Sequence, residues 1–452
     1  MVDGFLPTFS RRNLFPPRLG GGAWSKPSQK AGIPERVIIP FQEAISMPCK
    51  ITVHEGDRVK AGEKIGFMGN GDTCIAVHAS TSGRVDQIAP MPHPLGFNAL
   101  SVVIASDGKD EGVEAKPLGA SGIGSNKEKM FEALREMGIP LNYPLLAKTG
   151  FAVSRLLINA TEFEPPLTSG HHLIKEHGPH IIEGLKVLLS ACSASQAVIL
   201  IEKDRPSLIK TLKGFGSEVP AITIRGVNHP YPDTAVGYLA KKLFSKKPYR
   251  ITADRRTEVM TVDLSSLFAI YNAWFWGIPL TEQLITVVGS AIPNPQNSWV
   301  KIGTPLASLV QSAGGTSSPL GQITLGGPLM GIPQSSLEVP IIKKTKGVCA
   351  SVALLFDERR RSRFYKRVPC IKCAKCVDVC PVSIIPNLIA DFIDNRFFSD
   401  AARRGVFLCA ECGLCEYVCP SRIPLLELMK LGKVSLKGEQ SLLTQSNLKL
   451  LS

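Results

Sequence analysis

The chain lacks any run of about 20 uncharged apolar residues, the length a helix needs to cross a bilayer, so no transmembrane helix of its own is expected. Its most apolar long stretch, 264–280, contains Asn272 and Pro279 and reads as a buried helix and a turn. Residues 1–35 lack the apolar core of a secretory signal. They carry Arg11, Arg12, Arg18 and three consecutive glycines at 20–22, and read as an extended arm on another surface or as a disordered tail. Acidic residues are few: 38 Asp and Glu against 52 Lys and Arg leave a formal charge of +14. Such a surplus suits an acidic protein, an anionic membrane face or nucleic acid, or is a basic surface with no particular partner. Aromatics make up only 7% and are not interleaved with the basic residues. With no nucleic-acid motif beside them, no nucleic acid is expected as a partner; protein or membrane is.

Cysteine is what the chain does have, and it is concentrated. Eight of the 12 cysteines fall between Cys370 and Pro420, as CIKCAKCVDVCP and CAECGLCEYVCP. Each half is C-x2-C-x2-C-x3-C-P, the bacterial ferredoxin run, which predicts two [4Fe–4S] clusters. Three thiolates on one tight loop grip three irons of a cube, and the fourth cysteine points away to the other cube. The predicted ligand sets are Cys370, Cys373, Cys376 and Cys419 for one cluster, and Cys409, Cys412, Cys415 and Cys380 for the other. Zinc takes separated C-x2-C pairs and fits this spacing poorly. Disulfides would need an oxidising compartment. Cys49, Cys74, Cys192 and Cys349 have no motif partner and read as small buried hydrophobes.

The fold class expected is multidomain α/β plus β. Residues 36–108 show short β-branched runs separated by turns, and 53–59 and 79–85 resemble the hairpins of a barrel-sandwich hybrid domain. A carrier domain would present a lysine between those hairpins. Here the connection is Gly69-Asn70-Gly71-Asp72-Thr73, so the role is structural. His78 and His93 read as structural rather than as ligands. Residues 110–126 form a polar linker. From 127 to 282 strand and helix patterns alternate, which argues a Rossmann-like α/β domain with a largely parallel sheet. Its helices are expected at 127–137, 179–192, 205–215 and 234–243, and its strands at 156–159, 197–202 and 221–225. Residues 283–345 read as a small β-grasp-like, soluble-ligand-binding domain, and 360–433 as a two-cluster ferredoxin-like α domain. The segment 434–452 is a polar tail.

In this order the four modules resemble the C subunit of the Rnf complex, the membrane-bound ion-translocating ferredoxin oxidoreductase. The resemblance runs from about residue 33 to 433. It is carried by the barrel-sandwich segment, NATEFEPPLTSG (159–170), VKIGTPLASLVQSAGG (300–315), GGPLMG (326–331), the cysteine run and CPSRIPLLELMKLGK (419–433). The A subunit of the sodium-pumping quinone reductase shares the modules without the clusters. A cobalamin reductase of propanediol metabolism shares both.

The resemblance implies a peripheral electron-transfer subunit on the cytoplasmic face of the membrane. Its partners would be other Rnf-type membrane subunits, an iron–sulfur B-type subunit, and ferredoxin or another low-potential donor. Arg359, Arg360, Arg361 and Lys372 would dock that donor, or else solvate a linker. It also implies that the α/β domain is similar to the FMN and NADH site of the complex I flavoprotein subunit, with a loop of the form G-L-G-G-A-G-F-P-T and then N-G-A-E-x-E-P. This sequence departs there. At 138–144 it reads GIPLNYP, and a second family segment, Y-P-Q-G-x-E, is here YPDTAV at 231–236. Glycines let backbone N–H groups approach a phosphate, whereas prolines remove donors. The expectation is an FMN/NADH site that does not function, with Asn159, Glu162 and Glu164 as its remnant. The alternatives are an NADH-dependent, FMN-containing Rnf subunit or cobalamin reductase, and a mainly structural docking subunit.

Overall fold

The structure is a computed structural model that describes residues 22–42, 47–71, 74–120, 126–141, 143, 153–162, 164, 166–227, 259–317, 320–352 and 367–436. The helix expected at 234–243 lies outside the described residues.

Four parallel strands form the centre of the α/β unit, in the order Ile222–Val227, Gln196–Glu202, Arg155–Asn159, Val259–Asp263. The runs RLLIN and QAVILIE are apolar without alternation, as strands covered on both faces must be. Helices Ser169–Cys192, Pro206–Gly216 and Leu264–Tyr271 pack on one face with Leu156, Ile158, Ile199 and Ile201, while Leu157, Val198 and Leu200 form a separate buried cluster on the other. The strand order reverses beside Arg155–Asn159, so the crevice outside its carboxyl end is where a ligand of such a fold sits. The loop 159–167 and the start of helix Leu264–Tyr271, capped by the Asp263 carboxylate on Ser266 N–H at 2.7 Å, flank that crevice.

The helix expected to begin at Pro179 begins at Ser169 instead. His177 interrupts it with a non-helical φ of −131°. Pro179 cannot donate to the preceding turn and its ring crowds that turn, so the pattern legible around it was only the second half. Gly184 lets this helix approach Leu264–Tyr271, because a Cβ there would clash with the Leu267 carbonyl oxygen.

The β-grasp-like sheet has six strands in the order Gln29–Lys30, Gln296–Lys301, Glu282–Val288, Gly347–Val352, Leu320–Leu325, Ile332–Gln334. Two of its strands lie outside the expected 283–345 span. Gly347–Val352 sits in the middle of the sheet, parallel to Glu282–Val288. Gln29–Lys30, from the arm, adds a parallel edge strand to Gln296–Lys301. The arm is held further by Ser28, which bonds the Glu176 carboxylate, and by Lys26 O on His172 Nε2 at 2.8 Å.

The barrel-sandwich segment is two antiparallel sheets built from strands between Arg36 and Ser106. Asp72 and Thr73 of the hairpin connection lie outside the described residues. His78 and His93 are buried, and burial with nearby Lys343 and Lys64 pushes the His78 pKa down to about 3. The barrel meets the α/β unit at Gly138 (φ +69°), where a Cβ would crowd Lys343 Nζ and Ala76 O. Of the segment expected as a tail, 434–436 continue the last helix, which spans 425–436.

Candidate iron–sulfur site

The two cysteine halves fold as repeats. Lys372 and Glu411, Ala374 and Gly413, and Ser383 and Arg422 hold matching left-handed conformations, with φ between 51° and 73°. Short helices Lys375–Asp378 and Leu414–Tyr417 follow the loops. Each loop curls around its own sulfurs: Lys372 N–H donates to Cys370 Sγ and Glu411 N–H to Cys409 Sγ, both at 3.4 Å.

The folding brings the eight cysteines into two groups. One hollow is lined by Cys370, Cys373, Cys376 and Cys419. A second is lined by Cys380, Cys409, Cys412 and Cys415. Each hollow thus takes three cysteines from one half and the fourth from the other. Among the described residues no three His, Cys, Asp or Glu side chains converge as one ion would require. Four cysteines drawn from two such loops are the donor set of a cube rather than of a zinc ion. Burial pushes the thiols of Cys376, Cys409 and Cys412 up, Cys412 to about 11, and that of Cys415 further. As thiolates they need a metal's positive charge beside them.

The hollows differ in access. Cys370 and Cys373 are exposed, and Ile371 between them is 65% exposed. Cys412 and Cys415 are buried. The inner loop is covered by the 326–331 turn: Cys412 and Leu414 pack with Leu329 and Met330. Gly413 must lack a Cβ there, since one would strike the Leu329 carbonyl oxygen. The turn is held in its own right by Glu164, whose carboxylate accepts Gly327 N–H at 2.9 Å and Leu329 N–H at 2.6 Å. Sequence reasoning missed Gly327, Leu329 and Gly413. One signal was available: the equivalent of Gly413 in the first half is Ala374.

The other two expected remnant residues lie in the crevice. Asn159 Oδ1 accepts from Thr161 N–H at 3.1 Å and Oγ1 at 2.6 Å. Glu162 Oε1 accepts His171 N–H at 2.8 Å, and its own N–H donates to Glu202 Oε1 at 3.0 Å. His171 Nε2 lies 2.9 Å from Glu202 Oε2. Burial pushes Glu162 up. Burial opposes charge on His171 and Glu202 too; the Glu162 charge and then the bond to Glu202 outweigh it and raise His171, and the bond to His171 lowers Glu202. Trp24, from the arm, lies under the Arg205 guanidinium at 4.6 Å and edge-on to His171 and His172. Three buried polar atoms there have no hydrogen-bond partner: Asn159 Nδ2, His171 Nδ1, which lies 3.9 Å from Glu162 Oε1, and Arg205 Nε. Where the family carries its glycine loop, Ile139 and Tyr143 are buried, with Tyr143 OH on Ile139 O at 2.8 Å. Arg359, Arg360 and Arg361 lie outside the described residues, and Lys372 is exposed beside the outer hollow.

A barrel-sandwich segment, a nucleotide-type α/β unit, a β-grasp-like sheet and two cysteine hollows define a multidomain iron–sulfur electron-transfer protein. The segments match, in order, the RnfC barrel sandwich hybrid domain (17–109), the Nuo51 FMN-binding domain (134–272), the SLBB domain (284–333) and the 4Fe-4S dicluster domain (369–424). Over 381 residues the chain is 30% identical to the C subunit of the Na(+)-translocating ferredoxin:NAD(+) oxidoreductase complex of Acetobacterium woodii, covering 81% of this chain and 83% of that one. It is 28% identical to the C subunit of the proton-translocating ferredoxin:NAD(+) oxidoreductase complex of Clostridium ljungdahlii, covering 83% and 82%. With the C subunit of the ion-translocating oxidoreductase complex of Serratia proteamaculans the identity is 31%, covering 94% of this chain and 61% of that one. The chain belongs to this C-subunit family of the Rnf ion-translocating oxidoreductases, and its C-terminal unit is that of two [4Fe–4S] clusters. It spans 47% to 61% of the length of the enterobacterial relatives. Among solved structures it is similar to a chain of an NAD+-reducing [NiFe]-hydrogenase, with TM-score 0.41 and 16% identity over 70% of this chain and 56% of that one. Among the described residues no helix is long and apolar enough to cross a membrane.

Proposed function

We propose that this chain is the peripheral electron-transfer subunit of a membrane-bound, ion-translocating Rnf-type oxidoreductase, seated on the cytoplasmic face. Cys370, Cys373, Cys376 and Cys419 hold one cluster, and Cys409, Cys412, Cys415 and Cys380 the other. The observation that carries the reading is the pair of four-cysteine hollows, each drawn from both halves of the run. When bound, the clusters supply one-electron transfer. The chain's own residues set its conditions: the loop N–H groups bond sulfur, burial keeps water from the inner hollow, and exposure leaves the outer one open to a partner.

The partner at the exposed end is a low-potential iron–sulfur protein such as ferredoxin. Membrane subunits and an iron–sulfur protein of the B type complete the complex. Ferredoxins of that kind are acidic, and the +14 chain attracts them. Lys372 sits beside exposed Ile371 on this face, with Arg359, Arg360 and Arg361 close in sequence. A Lys372→Glu variant is expected to slow ferredoxin oxidation and to flatten its salt dependence. An unchanged rate and salt slope would remove Lys372 from the docking face.

The crevice of the α/β unit does not work as an FMN/NADH site in this reading. Asn159, Glu162 and Glu164 are engaged inside the protein, and Ile139 and Tyr143 fill the place of the glycine loop. A second reading, FMN held through other contacts, is favoured by the three polar atoms of Asn159, His171 and Arg205 without a hydrogen-bond partner. Anaerobic analysis of the purified chain separates them. About eight irons, no flavin and no optical response to NADH are expected. One tightly bound FMN with rapid bleaching by NADH would overturn the first reading in favour of the second.

A further inference from the structure

Glu164 stands 163 residues before Gly327 in the chain, yet the two are bonded. It is 2% exposed, and both of its carboxylate oxygens are used, one on Gly327 N–H and one on Leu329 N–H. Such charge-assisted bonds to peptide N–H groups are strong and directional. The fit is close: a Cβ on Gly327 would fall on the carboxylate itself. Burial pushes the Glu164 pKa up, while the N–H groups of Leu329, Met330 and Gly327 and the charge of Lys430 pull the other way. The far side of the same turn is the seat of the inner cysteine loop, where Leu329 and Met330 meet Cys412 and Leu414, and Gly413 lies against the Leu329 carbonyl. A short line of contacts therefore runs from the strand-end loop of the α/β unit, through one turn of the β-grasp-like sheet, to the inner hollow.

We propose that Glu164 is a positioning residue for the inner iron–sulfur site: its carboxylate holds the 326–331 turn as the seat of the Cys409–Cys415 loop and so fixes that site relative to the crevice. The inference rests on the reading that Cys380, Cys409, Cys412 and Cys415 hold a cluster. Two consequences follow from the chemistry. The seat loses its shape when the carboxylate cannot accept both N–H groups. A glutamine keeps the volume but turns an N–H₂ towards one donor, leaving one buried N–H without an acceptor. The charge also acts through the turn, since a negative group near an electron-accepting centre opposes its reduction.

The experiment uses the full chain, purified anaerobically, as wild type, Glu164→Gln and Gly327→Ala. Iron analysis, redox titration followed by electron paramagnetic resonance, and iron release to a chelator are read for both sites. A Cys373→Ala variant identifies the outer site's signals. About eight irons in the wild type confirm two sites, and about four would sink the two-cluster reading and this inference with it. With both sites present, Glu164→Gln is expected to raise the reduction potential of the inner site and leave the outer one in place. Gly327→Ala, which pushes the turn off the carboxylate, is expected to speed iron release from the inner site about tenfold or more, the scale on which outer-shell partners act. Inner potentials and release rates at wild-type values in both variants, with eight irons retained, would overturn the positioning role and leave the cluster assignment standing.

Discussion

Replacing Cys380 by alanine is expected to empty the buried hollow and spare the exposed one. Iron should fall from about eight to about four per chain. The result follows from the crossed ligand sets that the run predicts, although Cys380 follows Cys370, Cys373 and Cys376 in the same half. In the structure the short helix Lys375–Asp378 carries Cys380 away from those three and into the wall formed by Cys409, Cys412 and Cys415. Cys419→Ala should do the reverse, since Cys419 lines the hollow of the first loop. The two variants then differ in what remains. Cys380→Ala should retain the centre beside exposed Ile371 and stay reducible by a protein donor, but pass nothing inward. Cys419→Ala should lose reduction by that donor. Iron counts and paramagnetic signals of the two variants decide the pairing. Loss of the exposed centre in Cys380→Ala would overturn it.

Removing Glu202 is expected to cost about 3 to 5 kcal/mol in the α/β unit, the scale for stripping one partner from a buried ion pair. Glu202 accepts from Glu162 N–H and pairs with His171. With an alanine there, His171 is left buried with Nε2 unpaired, and Glu162 Oε1, 3.9 Å from Nδ1, is its remaining carboxylate neighbour. The pH dependence has a definite sign. His171 is raised above its ordinary 6.5, so its contribution is full below 6.5 and is lost as pH rises through the raised value. Glu202 is lowered below its ordinary 4.5, so its contribution is full above 4.5 and is lost as pH falls through the lowered value. The difference in stability between wild type and Glu202→Ala should therefore be greatest between those two ordinary values. Hydrogen exchange of Arg155–Asn159 and Gln196–Glu202 reads the local opening without requiring the whole chain to unfold in one step. A difference that does not change with pH would show that the pair carries no net charge interaction.

The strands of the α/β unit were legible because parallel strands covered on both faces are written as unbroken apolar runs. The first half of helix Ser169–Cys192 was not, since SGHHLIKEH mixes glycine and histidine and shows no clean apolar stripe. It is held by tertiary partners instead: Trp24 against His171 and His172, and the Glu162 carboxylate on His171 N–H. Gly347–Val352 was missed because a six-residue strand at a presumed boundary gives no signal of the sheet it completes. Glu164 was read as part of a cofactor signature. The motif places it correctly at a strand end, but its partner lies in another unit.

The sequence by itself determined the cofactor class. Thiolate spacing is local, set by a loop of a dozen residues, and only a cube with ligands from two loops suits C-x2-C-x2-C-x3-C-P twice over. It also laid out the four modules in order, and its GIPLNYP run at 138–144 departs from the glycine loop of the family that the chain resembles. Only the tertiary structure decided which hollow is exposed and which is buried, that the arm's Trp24 closes over Arg205, and that Glu164 holds the seat of the inner loop. Those outcomes depend on contacts between residues more than eighty positions apart. Packing of whole units against each other creates them, and no spacing within one segment encodes them.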